Sequence, residues 1–301
     1  MSVKQPLPTL ILSNVVRSGV AGLAKSLGNE EYSRRGKKMN LDLSNKIALV
    51  AASSKGLGKA VALGLAKEEA NVVICARNPD TLATTAQEIQ ESTGQDILAV
   101  PTDLTKYSEV QRLVAKTIER FERLDILVTN CGGPPSGTFL DFTDNDWRAA
   151  IDLNLMSTIY LCKEAIPQML KQKNGRIIMI TSVSVKQPLP ALILSNVVRS
   201  GVAGLAKSLS NEFGKDNILV NMVCPGYTLT ARVEQLSIEL ADKQGITPEE
   251  IIQKWENANA LQRLATPEEF ANVVVFLASK KASYLTGTAI QIDGGLSKSL
   301  L

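Results

Sequence analysis

The chain has 301 residues, with 33 Lys and Arg against 30 Asp and Glu, a net charge of +3, four cysteines and no histidine. Without histidine, Ser-His and Cys-His nucleophile systems and the commonest metal ligand drop out together, so hydrolase and metalloenzyme chemistry lose their usual parts and no metal site is expected. The positive balance is local: residues 1–38 hold seven Lys/Arg and two Glu, and their +5 leaves −2 for the rest, which gives no electrostatic case for nucleic acid.

The first segment repeats a later one. Ser2 to Glu30 reappears as Ser184 to Glu212 with two changes, Thr9 against Ala191 and Gly28 against Ser210. One repeat is too few for a solenoid. Ser13 and Arg17 thereby duplicate Ser195 and Arg199 with no strand–helix pattern ahead of them. Three readings of residues 1–38 stay open. They are a mis-assigned start, an extra amphipathic helix imitating its parent at an interface, and a basic targeting peptide free of acids until Glu30. The first is preferred, because Arg34 to Lys38 also fits a purine-rich ribosome-binding site read as codons, just ahead of Met39.

From residue 39 onward the pattern alternates. Apolar runs at Ile47–Ala52, Asn71–Ala76, Ile97–Val100, Ile126–Thr129, Arg176–Thr181, Ile218–Val223 and Thr288–Ile292 read as strands buried on both faces. Helical periodicity fills the gaps at Gly56–Ala66, Pro79–Glu91, Glu109–Phe121 and Trp147–Leu170. Thr247-Pro248-Glu249-Glu250 and Thr266-Pro267-Glu268-Glu269 each write a helix start: a Thr cap, Pro in first position and Glu in third. The expectation is one domain over 39–301: an α/β, doubly wound, parallel seven-stranded sheet with helices on both faces. A long segment, about 229–264, is inserted before the last strand and is expected to form a lid over the carboxyl ends of the strands. Cys75, Cys131, Cys162 and Cys224 form no CxxC pair and read as small apolar residues in a reducing cytoplasm. No apolar run reaches membrane-spanning length.

Chemistry gathers at the strand ends. The first strand runs into Ala52-Ser53-Ser54-Lys55-Gly56-Leu57-Gly58, a turn at a helix N-terminus whose unpaired N–H groups favour a pyrophosphate. Arg77 follows the second strand, with Ala76 before it. Asp103-Leu104 follows the third, Thr129-Asn130-Cys131-Gly132 the fourth, and Thr181-Ser182 the fifth. Asn154 lies in Asp152-Leu153-Asn154-Leu155, Pro225-Gly226 and Thr230 follow the sixth strand, and Asp293-Gly294-Gly295 the seventh. In this order the elements resemble the short-chain dehydrogenase/reductase family over Met39 to Ser299, and within it a divergent 3-oxoacyl-carrier-protein-reductase-like subgroup that lacks the family's first cofactor glycine and its Tyr-x-x-x-Lys pair.

The resemblance implies a Rossmann-type fold, a nicotinamide cofactor and a small carbonyl or alcohol substrate. Ala52, Ser54, Lys55, Gly56, Leu57, Gly58, Arg77, Asp103, Leu104, Asn130, Gly132, Arg199, Pro225, Gly226 and Thr230 become cofactor-binding candidates. Ser182, Asn154, Ser195 and Arg199 become catalytic ones. Lys55 and Arg77 favour NADP(H) over NAD(H), since cations suit a 2′-phosphate and an NAD-type site places an acid where Ala76 stands. Two departures matter. Ala52 stands where the family has its first glycine, and Ser195-Asn196-Val197-Val198-Arg199 stands where it has Tyr-x-x-x-Lys. Serine is far too weak an acid to replace an activated phenol, and arginine keeps its proton. Tyr227 is the replacement phenol nearest in sequence, and packing against the lid is the role preferred for it. Relatives imply a homo-oligomer, a tetramer or dimer. The stiff Gly132-Gly133-Pro134-Pro135 loop and Trp255 in the lid suggest a partly apolar substrate. The rival reading is a catalytically silent NADP(H)-binding sensor or subunit of a hetero-oligomer.

Overall fold

The computed structural model describes residues 40–300; the duplicated segment, with Ser13, Arg17 and Met39, lies outside the described residues. The chain alternates through Ile47–Val50 (β1), Gly56–Lys67 (α1), Asn71–Ala76 (β2), Pro79–Thr93 (α2), Ile97–Pro101 (β3), Tyr107–Phe121 (α3) and Ile126–Thr129 (β4). It continues with Asp144–Ile151 (α4), Ser157–Gln172 (α5), Gly175–Ile180 (β5), Ile193–Phe213 (α6) and Ile218–Pro225 (β6). Ala231–Gln244 (α7), Pro248–Ala258 (α8), Pro267–Ala278 (α9) and Ala289–Ile292 (β7) complete it.

The seven strands form one sheet in the order β3-β2-β1-β4-β5-β6-β7, every neighbouring pair parallel. The order reverses beside β1, which leaves a crevice outside the carboxyl ends of β1 and β4. Alternate residues feed opposite faces. Val50, Ile74, Val128 and Ile178 pack with Val61 and Leu65 of α1 and Phe270 and Val274 of α9. Leu49, Val73, Leu127 and Ile177 pack with Leu113 of α3, Leu161 of α5 and Val202 of α6. Both faces are covered, which is why the strands read as unbroken apolar runs.

Three details differ from the sequence reading. The first strand ends at Val50, because Ala52 takes a left-handed backbone with φ of +47° and turns the chain. The amphipathic stretch 147–170 is two helices joined by a π-helical turn, Asp152–Met156. The 229–264 segment contains two helices where one was expected; α7 begins at the Thr230 cap, whose hydroxyl accepts from Val233 N–H. The two Thr-Pro-Glu-Glu starts form as written, each with its reciprocal capping box, at Thr247 and Thr266. Helices α7 and α8 share a small core of their own, Leu236, Leu240, Ile251 and Trp255, with Tyr227 against it.

Candidate functional site

The turn after β1 is built around one carbonyl. Ala51 N–H still bonds to Val128 of β4 at 2.9 Å, and Ser53 N–H bonds to Cys75 of β2 at 3.0 Å, so the two flanking strands pin both ends of the turn. Between them Ala52 is left-handed, and Asn130 Nδ2 donates to its carbonyl oxygen at 3.3 Å. Gly56 is left-handed too, at φ +57°. Gly58 serves another need: a Cβ there would clash with the Ala52 carbonyl oxygen and lie 2.9 Å from Asn130 Nδ2 and from Ser53 Cα. The helix can therefore start against the strand only with glycine at 58.

The first turn of α1 has no side-chain cap at Lys55 and no acidic residue. Its unpaired N–H groups and dipole are left for an anion, so these residues fit a cofactor pyrophosphate. Ser54 offers its carbonyl to Thr85 Oγ1 at 2.9 Å, which ties the turn to α2, and Leu57 packs inward against the core. Lys55 and Arg77 are both exposed. Arg77 lies near Asp103. Burial pushes the Asp103 carboxyl up, but hydrogen bonds from Thr105 and the charges of Lys106 and Arg77 outweigh it and hold the group low. Leu104 beside it turns into the core, so of that pair Asp103 alone keeps its side chain at the rim.

The ends of β4, β5 and β6 carry the second half. Asn154 sits in the π-helical turn, a distortion that recurs at functional sites, and is 1% exposed. Its Nδ2 donates to the Ala150 carbonyl at 3.1 Å and its Oδ1 accepts from the Cys131 thiol at 3.2 Å. Ser182 Oγ accepts from Ser184 N–H at 3.1 Å, and the Ser184 and Ser195 hydroxyls lie 3.4 Å apart. Arg199 is buried beneath them. Its Nη1 donates to the Thr181 carbonyl at 2.9 Å and to that of Ile180 at 3.4 Å. Gly226 closes β6 where any Cβ would approach Asp293 Cα to 2.8 Å. Next along the chain, Thr230 Cγ2 lies 3.6 Å from where a Cβ on Gly56 would be. Thr230 thus stands beside the turn after β1, while Gly132 has open space around it.

Tyr227 takes the packing role. Its ring stacks on Trp255 at 4.2 Å and 13°, and burial pushes its phenol up to about 12. The sequence reading overlooked two groups. Ser184 joins Ser182 to Ser195, and its signal was its place two residues after Ser182. Arg232 reaches from α7 to the loop after β4, donating to the Pro134 carbonyl at 2.8 Å; it follows Thr230 by two residues, inside the expected lid segment but in none of its expected helices. Among the described residues no cluster of His, Cys, Asp and Glu is placed to hold a metal, and no helix is long and apolar enough to cross a membrane.

A family model described as enoyl-(acyl carrier protein) reductase matches residues 51–297. The chain is 35% identical to the oxidoreductase UcpA of Salmonella typhimurium over 254 residues, covering 84% of this chain and 95% of that protein. It is 31% identical to the 3-oxoacyl-[acyl-carrier-protein] reductase FabG of Chlamydia muridarum over 259 residues, 86% of this chain and all of that one. Among solved structures, L-sorbose reductase from Gluconobacter frateurii, complexed with NADPH and L-sorbose, superimposes with a TM-score of 0.83 at 34% identity. That match covers 87% of this chain and 100% of the reductase.

Proposed function

The chain belongs to the short-chain dehydrogenase/reductase family, and we propose that it is an NADP(H)-dependent oxidoreductase that reduces a small, partly apolar carbonyl, or oxidises the alcohol, with an altered catalytic site. The reading rests on one observation above all. Thr230 stands beside Gly56 of the uncapped α1 turn, and Ser182, Ser184, Ser195 and Arg199 gather at the carboxyl end of β5 in the same sheet.

NADPH, when bound, supplies the hydride. In this reading Gly56, Leu57 and Gly58 present backbone N–H groups to the pyrophosphate, with Ala52 and Ser54 shaping the turn. Lys55 and Arg77 answer a 2′-phosphate, and Asp103 lies on the adenine side; the preference for NADP(H) draws support from the NADPH complex of the sorbose reductase. Leu104 contributes by fixing Asp103. Asn130, Gly132, Pro225, Gly226 and Thr230 line the nicotinamide side. Ser182 accepts a backbone N–H, so its own proton is free to point at a substrate carbonyl. Arg199 sets a permanent positive charge beside the developing alkoxide, or beside the cofactor ribose, but does not give up a proton. The proton then comes from water reaching the pocket beside Ser182. Asn154, with its amide oxygen and one N–H engaged, acts as a positioning residue that couples the π-helical turn to Cys131. Losing an activated acid lowers the rate by roughly 10²–10⁴, which leaves slow turnover. The segment 229–264 is the lid, and exposed Ile151 and Val197 support a homo-oligomer, tetramer or dimer.

The test is a fluorescence titration of the chain with NADPH and NADH, followed by a carbonyl panel in the same cuvettes. Micromolar NADPH binding with substrate-dependent oxidation is expected. Tight NADPH binding without turnover would favour a silent sensor or subunit, and no binding of either cofactor would overturn the enzyme reading.

A further inference from the structure

Arg199 is a cation without an answering charge. It is 8% exposed, its hydrogen bonds go to backbone carbonyls, and among the described residues no Asp or Glu pairs with it. Carbonyl dipoles stabilise a guanidinium but do not neutralise it, and a charge held out of water calls for a partner. Three elements locate the group. Burial pushes up the Cys131 thiol after β4 and the Cys224 thiol in β6, and the Arg199 charge pulls against burial in both. At the start of α7, burial holds Arg232 below its ordinary value; Glu239 acts upward on it and Arg199 downward. Arg199 therefore sits between the strand ends and the start of α7, close enough to Arg232 for the two charges to act on each other.

The charges of Arg232 and Asp293 nearby are accounted for. Arg232 is fixed on the Pro134 carbonyl and lies 3.6 Å from Glu239 Oε1, so its charge is met. Lys186 and Asp293 also act on Cys224, with opposite sign. The Asp293 carboxylate is bound by the N–H groups of Gly295 at 3.0 Å and Ser297 at 2.9 Å, in its own turn. Among the described residues Lys186 has no acidic partner either, but it is only half-buried, so the open charge held out of water is that of Arg199.

We propose that the substrate carries a carboxylate, that Arg199 reads it with Arg232 nearby, and that the substrate class is a small oxo acid or hydroxy acid. The inference deepens the oxidoreductase reading and rests on it. A single open charge matches a monoanion better than a phosphoryl group, which carries nearly two at neutral pH. The planar fork of arginine suits two coplanar carboxylate oxygens, and a lysine would not pair with them in this way. An oxo group next to the acid, or one carbon further, then falls beside Ser182. On this account the replacement of lysine by arginine is a change of substrate recognition as much as a loss of acid–base tuning.

The experiment is isothermal titration of the full chain with butyrate, a monoanion, and with its neutral methyl ester. Butyrate is expected to bind at least tenfold tighter than the ester. Arg199→Met should lower butyrate affinity at least tenfold, Arg199→Lys by less, and Lys55→Gln not at all. Equal binding of acid and ester, or butyrate binding that survives Arg199→Met or falls in Lys55→Gln, overturns the proposal. The latter pattern would mean an anion seated in the α1 turn. Should Arg199→Met fail to fold, Arg232→Gln carries the same decision: at least a threefold loss supports the proposal and unchanged affinity refutes it. NADPH titration and turnover of acetoacetate against methyl acetoacetate separate the two readings. Butyrate binding without NADPH binding leaves the carboxylate site standing and removes the reductase. NADPH-dependent turnover that is equal for acid and ester does the reverse.

Discussion

Ala52 can be perturbed in both directions. An L-residue in the left-handed region carries about 1–2 kcal/mol of steric strain, and Ala52 sits there at φ +47°. Ala52→Gly removes that strain, adds roughly 0.5–1 kcal/mol of backbone entropy cost, and gives up a half-buried methyl group worth a fraction of the ~0.8 kcal/mol of a buried carbon. The balance is a small gain, about 0.5 kcal/mol. Ala52→Val moves the other way, because β-branched side chains are the least tolerated at positive φ, and about 1–2 kcal/mol should be lost. At roughly 2–4 °C per kcal/mol for a domain of this size, the two variants should melt about 3–10 °C apart, with the native chain near the glycine variant. Thermal unfolding and urea midpoints read this directly, and NADPH titration of the same samples shows whether relaxing the turn tightens binding. A valine variant as stable as the glycine one would refute the assignment of a strained left-handed residue.

Gly58→Ala should cost about 3 kcal/mol, the upper end for overpacking, since its Cβ meets backbone at Ala52 and Ser53; the urea midpoint measures it, and NADPH binding should vanish with it. Tyr227→Phe should leave turnover within about twofold, because the phenol is stacked on Trp255 and pushed up to about 12 by burial; steady-state rates between pH 7 and 10 should show no limb that the mutation removes. Hydrogen bonds from Arg263 and from Thr266 N–H pull the Glu269 carboxyl down to about 2. With an unfolded value of about 4.3, its contribution to stability is full above that pH and is lost as pH falls toward 2. Glu269→Gln should therefore flatten the urea midpoint against pH over that window, and an unchanged acid limb would count against the pairing.

The strands were legible because a parallel sheet covered on both faces writes unbroken apolar runs, and Val50 and Leu49 feed opposite faces with equal burial. Where a run ends is another matter. Ala51 and Ala52 look alike in sequence, yet one continues the hydrogen bonding to Val128 and the other turns left-handed. Helix α8 announced itself by Pro and two Glu after Thr247. Helix α7 did not, because Thr230 reads as a ligand residue and Val233, Leu236 and Leu240 face a partner, α8, that periodicity cannot supply. The π-helical turn at Asn154 shifts the helical phase by one residue within a stretch whose apolar pattern tolerates the shift. Ser182, Ser195 and Arg199 stand at the strand and helix positions their sequence indicates; the approach of the Ser184 and Ser195 hydroxyls and the reach of Arg232 depend on contacts between distant segments.

Helices α7 and α8 hold their own apolar cluster and meet the loop after β4 through polar atoms: Arg232 on Pro134, Glu239 on the Ser136 hydroxyl, and Lys243 Nζ on the Ser136 carbonyl at 2.7 Å. Such a pair is a cooperative unit of intermediate stability, distinct from the sheet. In native-state hydrogen exchange its amides should open together, before those of β1 and β4, at a free energy that falls as salt screens the polar contacts.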